Sequence, residues 1–158
     1  MLQLNLSNKI MTKSVVLKKF KKDNRYVLHP NLIVKDSGSF AIAPYIIEHN
    51  LNYDELLDKV LYALEFSTEG EQPLEDHKTR LSEYLKGIGV KTIKALHDNS
   101  INLSLYVRDG IINFVPWENM GSKRGFVGYS DDLTVRLPFD SSKEELTKAL
   151  ELALSRCK

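Results

Sequence analysis

The residues of this sequence that could do chemistry are four histidines, one cysteine and a group of carboxylates. The histidines stand singly at positions 29, 49, 77 and 97, so no pair has the spacing of helical zinc ligands. Cys157 is the only cysteine, which excludes an intramolecular disulfide and a multi-cysteine metal site. No Walker loop, dinucleotide-binding glycine pattern or nucleophile elbow occurs. We therefore predict no catalytic residue, no cofactor and no metal site.

The carboxylates are concentrated in one polar segment, residues 67–76. They lack the alternating Asp and Asn spacing and the central glycine of a calcium loop, so a solvated acidic surface is the simpler interpretation. Such a surface could also meet a basic protein surface and speed the encounter. The residues concerned are Glu69, Glu71, Glu75 and Asp76.

Charge is unevenly distributed along the chain, although the net charge is only +1. Residues 1–25 contain seven Lys and Arg side chains and one acidic one, whereas residues 48–76 contain nine acidic side chains and one basic one. The basic stretch 18–22 lies in no recognisable nucleic-acid module, and a solvated basic surface is the simpler interpretation of it. The basic N-terminal segment nevertheless leaves open an alternative function, a small nucleic-acid-binding or ribosome-associated module.

Two aromatic residues could serve either the core or a contact surface. Trp117 follows a predicted strand that ends at Pro116, and Phe126 lies in a glycine-bearing loop. Large aromatic side chains contribute much of the binding energy of protein interfaces, so both are candidate contact residues.

The elements that must position these residues are two amphipathic helices, a third shorter pattern and several strands. Apolar residues recur on one face of residues 52–66, and Asn52 with Glu55 has the spacing of a capping box. Residues 142–157 repeat this design with Ser142 and Glu145, and the predicted buried stripe runs from Leu146 to Cys157. Residues 74–86 predict a further helix that ends at Gly87.

The clearest strands form a hairpin over residues 101–115, because alternating segments flank the turn dipeptide Asp109-Gly110. A second hairpin is predicted around residues 36–39, with extended pieces at 26–28 and 32–34 before it and a returning strand at 40–43. Residues 119–128 are predicted as a loop and 133–137 as a strand. The fold class is thus α+β, with an antiparallel or mixed β-sheet packed against three main helices. We predict a single domain over residues 1–158, with residues 1–13 as a frayed or edge segment.

The composition is that of an ordinary globular protein, with 42% apolar and 27% charged residues. No apolar run approaches the roughly 20 residues that cross a bilayer, and the N-terminus lacks the apolar core of a signal peptide. Together with the single cysteine, this predicts a cytoplasmic protein.

From Lys91 onward the sequence resembles the immunity proteins of contact-dependent growth inhibition (CDI). The resemblance is carried by KTIKALHDNSINLSLYVRDGIINFVPWEN and GFVGYSDDLTVRLPFDSSKEELTKALELALSRC, and residues 40–67 follow it more loosely. These are fold-forming residues: a strand, an Asp-Gly turn, a strand ending at proline, a glycine-bearing loop, a short strand and a final helix.

This resemblance implies a protein that is not an enzyme and that neutralises the C-terminal toxin domain of a delivered effector. Several such toxins are RNases that cut transfer RNA, and some act with an elongation factor, which would join a ternary complex through the toxin. No contact with a membrane or with nucleic acid is implied. Contact surfaces in such families diversify, so the candidate toxin-binding residues come from the charge and aromatic patterns alone. A small enzyme with converging carboxylates remains the other alternative.

Overall fold

The computed structural model describes residues 12–128 and 131–158, and their strands form one curled sheet. The strands are β1 (Thr12–Phe20), β2 (Arg25–Val34), β3 (Gly38–Ala41), β4 (Ile46–His49), β5 (Thr68–Glu69), β6 (Ser100–Arg108), β7 (Ile111–Asn119), β8 (Phe126–Gly128) and β9 (Val135–Pro138). The helices are α1 (Tyr53–Leu64), α2 (His77–Ile88), α3 (Ile93–His97) and α4 (Lys143–Arg156). Among these helices, none combines the length and apolar character needed to cross a bilayer.

The sheet has the order β3-β2-β1-β6-β7-β8, with β4 and β5 also pairing with β2 and β9 with β7. Within the described residues all pairings are antiparallel except that of β5 with β2, so the predicted α+β class with an antiparallel or mixed sheet is confirmed. Residues 1–11 of the predicted frayed segment lie outside the described residues. Thr12 and Lys13 are the first residues of β1 and pair with β6 alone, because the pairing of β1 with β2 begins at Val15.

The hairpin of β6 and β7 confirms the Asp-Gly prediction. Asp109 and Gly110 both have positive φ angles, 52° and 78°, as the two-residue turn that matches strand twist requires. The pairing continues from Arg108↔Ile111 to Leu103↔Pro116. In the sheet, β6 therefore lies between β1 and β7.

Helices α1 and α4 cover one face of the sheet and form the main core with it. Both predicted capping boxes are present, Asn52 with Glu55 and Ser142 with Glu145. The stripe predicted for α4 is buried against α1 and the strands; its members are Leu146, Ala149, Leu150, Ala153, Leu154 and Cys157. Burial raises the pKa of the Cys157 thiol to about 11, so the thiolate is disfavoured.

Helix α2 differs from its prediction at both ends. It begins after Asp76, whose carboxylate accepts the Thr79 N–H, and it ends at Gly89, whose φ of 73° fits the left-handed cap. Gly87, the predicted stop, is inside the helix, and a Cβ there would come within 2.6 Å of the Tyr45 ring. Leu74, the first residue of the predicted helix, lies before α2 and is 99% exposed.

Three other predictions need correction in detail. The two extended pieces around Pro30 are one ten-residue strand, β2. The loop predicted at 119–128 contains β8 at its end, and the strand predicted at 133–137 begins at Val135. Strand ends depend on partners distant in sequence, which local patterns do not reveal.

Candidate functional site

The candidate site lies on the sheet face opposite α1 and α4, here called the open face. Strand alternation assigns side chains to it: Val15 and Leu17 enter the main core, so Val16 and Lys18 lie on the open face. Cross-strand pairing adds further side chains to this face, since Val16 is opposite both His29 and Ser104 and Lys18 is opposite Asn102. Helices α2 and α3 cover one end of the open face, through the second core cluster, whose buried members are Phe20, Val27, Ile88, Val90 and Leu96.

Lys18 is the unusual residue of the open face. Its side chain is only 7% exposed, and burial lowers its pKa from 10.5 to about 8. The ammonium nitrogen lies 5.7 Å from the centre of the Tyr84 ring and 5.3 Å from that of Phe126. It has no ion-pair partner within 4.0 Å in the part of the chain that the structure describes. A buried ammonium held by two aromatic rings is therefore still without a counter-charge.

His29 is buried next to Lys18 and is held neutral. Burial, and then the charge of Lys18, lower its pKa to about 4, while its Nδ1 lies 3.0 Å from the Pro30 carbonyl oxygen. Its ring packs edge-on against Tyr84, with 5.3 Å between ring centres. Burial also raises the pKa of the Tyr84 hydroxyl. At neutral pH the charge at this point of the face is thus that of Lys18.

Lys18 and His29 form the floor of a groove with a volume of about 320 Å³. Its walls come from β3 and α2 and include Phe40, Arg80 and Tyr84. The Arg80 guanidinium lies 4.7 Å above the Phe40 ring. Among the described residues that line this groove, none is acidic.

A larger groove of about 870 Å³ continues the open face toward the other end of β1. Thr12 and Ser14 contribute to it from β1, and Tyr106 and Arg108 from β6. Glu69 of β5 also borders it. The two grooves share Ser39, so they are neighbouring parts of one concave surface.

The comparisons with known proteins bear on what this surface serves. The sequence model of the family described as CDI immunity protein matches residues 41–157. The chain belongs to this family. Lys18 and His29 precede the matched segment, so the match does not extend to the groove floor.

Two solved structures share the fold of this CDI immunity protein. One is the CdiA-CT/CdiI toxin and immunity complex from Yersinia pseudotuberculosis, with a TM-score of 0.76, 19% identity, and coverage of 94% of this chain and 99% of that one. The other is a protein of unknown function from Neisseria meningitidis, with a TM-score of 0.72, 19% identity, and coverage of 94% and 96%. No curated protein sequence matches the chain. At this identity the likeness establishes the fold.

The acidic residues predicted for the contact surface differ in what they do in this immunity protein. Glu69 accepts the Thr12 N–H at 2.9 Å, and Asp76 caps α2, where the Thr79 N–H and hydroxyl lower its pKa. Glu71 and Glu75 have exposed side chains, and the Glu75 carbonyl accepts the Arg80 Nε–H at 3.2 Å. Two of the four therefore stabilise the fold, and two project their charge freely.

The two predicted aromatic residues lie on the other side of β1 and β6, on β7 and β8. Trp117 is half-buried on the open face, and its Nε1–H donates to the Ser104 hydroxyl at 2.8 Å. Phe126 is half-buried between Lys18 and His97, whose ring centre is 4.8 Å away. Along the sheet, Glu69 of β5 thus lies on the β2 side of β1, whereas Trp117 of β7 and Phe126 of β8 lie beyond β6.

Lys18 and His29 were not predicted to belong to the site. The solvated surface expected for residues 18–22 is wrong for Lys18, while Lys21 and Lys22 are exposed. One signal was present: Lys18 shares the strand parity of Val16 and Phe20 and so faces inward with them. Within the described residues, no three His, Cys, Asp or Glu side chains come together as a metal site would require.

Proposed function

We propose that this chain binds the C-terminal toxin domain of its cognate CDI effector in the cytoplasm and neutralises it without catalysis. The observation that carries the proposal is the family match over residues 41–157. An open concave face on the side away from the main core supports it, because a protein inhibitor needs an accessible surface that its own core does not consume.

The toxin is proposed to be an RNase of the kind that cuts transfer RNA. An RNase must hold a polyanion, so its cleft is basic and an acidic surface can cover it. The exposed carboxylates of residues 69–76 would supply such a surface. We propose that the contact comprises Glu69, Glu71, Glu75, Asp76, Trp117 and Phe126. An elongation factor would join only through the toxin.

The alternative of a nucleic-acid-binding module depended on the basic N-terminal segment, residues 1–25. Lys18 is buried, and the Lys13 ammonium is bound to the Ser67 carbonyl at 3.1 Å. Burial withdraws Lys18 from the surface that would have met phosphates, and the exposed Lys13 ammonium already has the Ser67 carbonyl as a partner, so the protein-binding proposal is preferred.

Co-expression and binding test the function directly. The toxin domain encoded upstream of this chain should arrest growth when expressed alone and not when the chain is present. The purified proteins should form a stable complex. Undiminished arrest together with no complex would contradict the proposal.

Charge reversal tests the contact. The variant Glu71→Lys, Glu75→Lys leaves the structural carboxylates Glu69 and Asp76 in place. Association with the toxin should slow roughly tenfold at low salt and become less salt-dependent. The matched control Glu65→Lys, Glu151→Lys makes the same charge change at exposed sites at the C-terminal end of α1 and on α4, and it should leave association nearly unchanged. Equal effects of both variants would mean that only net charge matters.

A further inference from the structure

The groove over Lys18 is electrostatically incomplete. Two cationic side chains, Lys18 and Arg80, reach it, and neither forms an ion pair within 4.0 Å among residues 12–128 and 131–158. The Arg80 guanidinium contacts the Phe40 ring and the Glu75 backbone carbonyl, and its charge also lowers the pKa of the exposed Asp76 carboxylate, so Lys18 is the cation without a carboxylate partner. Buried cations in proteins are normally paired, so an uncompensated one marks a place where an anion can bind.

The surroundings of Lys18 hold the ammonium ready for such an anion. Its position between the Tyr84 and Phe126 rings is fixed by elements on both sides, α2 and β8. The desolvation of the ammonium has already occurred on folding, so an incoming carboxylate meets a cation that has little water to lose. In a site of low polarity the attraction between the two charges is much stronger than at an exposed surface.

We propose that this groove is a receptor for one acidic side chain, aspartate or glutamate, of the bound protein partner. The inference rests on the proposed function and names one contact within it. A protein side chain fits the position, because the groove adjoins a larger groove of the open face that Glu69 borders, and Phe126 lies against Lys18 itself. The acidic segment, residues 67–76, would attract a basic surface of the partner. The groove would then favour a partner that also presents a carboxylate opposite Lys18.

The first experiment compares two single substitutions on β1. Lys18→Met keeps the length of the side chain and removes its charge, whereas Lys19→Met makes the same change on the neighbouring residue, which faces the other side of the sheet. Binding of the toxin domain should weaken roughly 30-fold or more in Lys18→Met, mainly through faster dissociation. Lys19→Met should stay within about threefold of the parent. Circular dichroism verifies the fold, and Lys18→Gln replaces Lys18→Met if that variant misfolds.

The second experiment needs no toxin. The Cε–Hε nuclear magnetic resonance signals of Lys18 are followed during titration with acetyl-aspartate amide, acetyl-asparagine amide and inorganic phosphate. The acidic compound should shift the Lys18 signals at concentrations at which the neutral compound leaves them unchanged.

The two experiments separate the inference from the proposed function. If the parent chain binds toxin and Lys18→Met binds equally well, the inference is wrong and the function stands. If the parent chain does not bind toxin, the proposed function fails, and equal responses to both amides would then also overturn the receptor. A phosphate response as strong as that to aspartate, with toxin binding unaffected by Lys18→Met, would indicate a site for free anions and overturn the proposal.

Discussion

Lys18 shows how burial changes the properties of a single residue. An ammonium removed from water without a counter-charge loses part of its preference for the charged state, so its pKa falls to about 8. The same charge helps to keep His29 neutral, with a pKa near 4. Near pH 7 the groove therefore combines a protonated Lys18 with a neutral His29.

Replacing Lys18 by methionine should stabilise the free protein at pH 7. The folded chain lowers the pKa of Lys18 from 10.5 to about 8, so between these values the folded state binds fewer protons than the unfolded state. Stability of the parent should consequently rise with pH across this window, by up to about 3 kcal/mol from this residue. The advantage of Lys18→Met, measured by urea unfolding, should shrink between pH 8 and pH 10.5. A difference in the free energy of unfolding that does not change with pH would show that burial does not lower the pKa of Lys18.

Among the elements, the ends and the buried face of α4 can be predicted from its sequence more directly than those of α2. In α4 the capping box and the apolar stripe agree on one register, so its boundaries and buried face are both confirmed. In α2 the apolar positions are sparse, and Ile88 is its only fully buried residue. Helix α2 is bounded by Asp76 and Gly89, and its buried face is determined by packing in the second core cluster.

The packing of α4 can be tested with two leucines two positions apart. Leu150 is fully buried between α1 and the sheet, whereas Leu152 is 45% exposed. Leu150→Ala should lower the free energy of unfolding by about 2–5 kcal/mol, because it removes buried methyl groups and leaves a cavity. Leu152→Ala should change it by about 0.5 kcal/mol or less. Chemical denaturation of both variants measures the difference, and equal losses would refute the assigned face.

At the scale of the whole molecule, the sheet has two unlike faces. One is closed by α1 and α4, which pack against each other and are joined at their surface by the ion pair of Lys143 with Asp58. The other is closed only at one end, by α2 and α3, and leaves two grooves open. A stable core on one side thus frees the other side for binding.

Because β1 and β6 contribute to the main core and to the open face, we expect the molecule to unfold as one unit. Trp117 is the only tryptophan and lies on the open face, so its fluorescence reports on that side. Far-ultraviolet circular dichroism reports on the helices, most of whose residues are on α1, α2 and α4. The two signals should give the same midpoint in urea. An earlier fluorescence transition would contradict the predicted single domain and indicate a separately unfolding open face.

The sequence alone determined the features that depend on neighbouring residues. Capping boxes act over three positions, the Asp109-Gly110 turn over two, and the α4 stripe over one helix, so each was readable from local chemistry. The resemblance to the CDI immunity proteins was carried by the same local patterns.

Only the tertiary structure decided the groove. Lys18 is enclosed because Tyr84 of α2 and Phe126 of β8 meet above β1, although both are more than sixty positions away along the chain. From the sequence alone, a basic stretch predicts a solvated surface, because most lysine side chains in folded proteins are exposed to water. Whether a side chain is desolvated depends on which residues pack over it in the folded protein. These residues come from strands and helices that are distant along the chain.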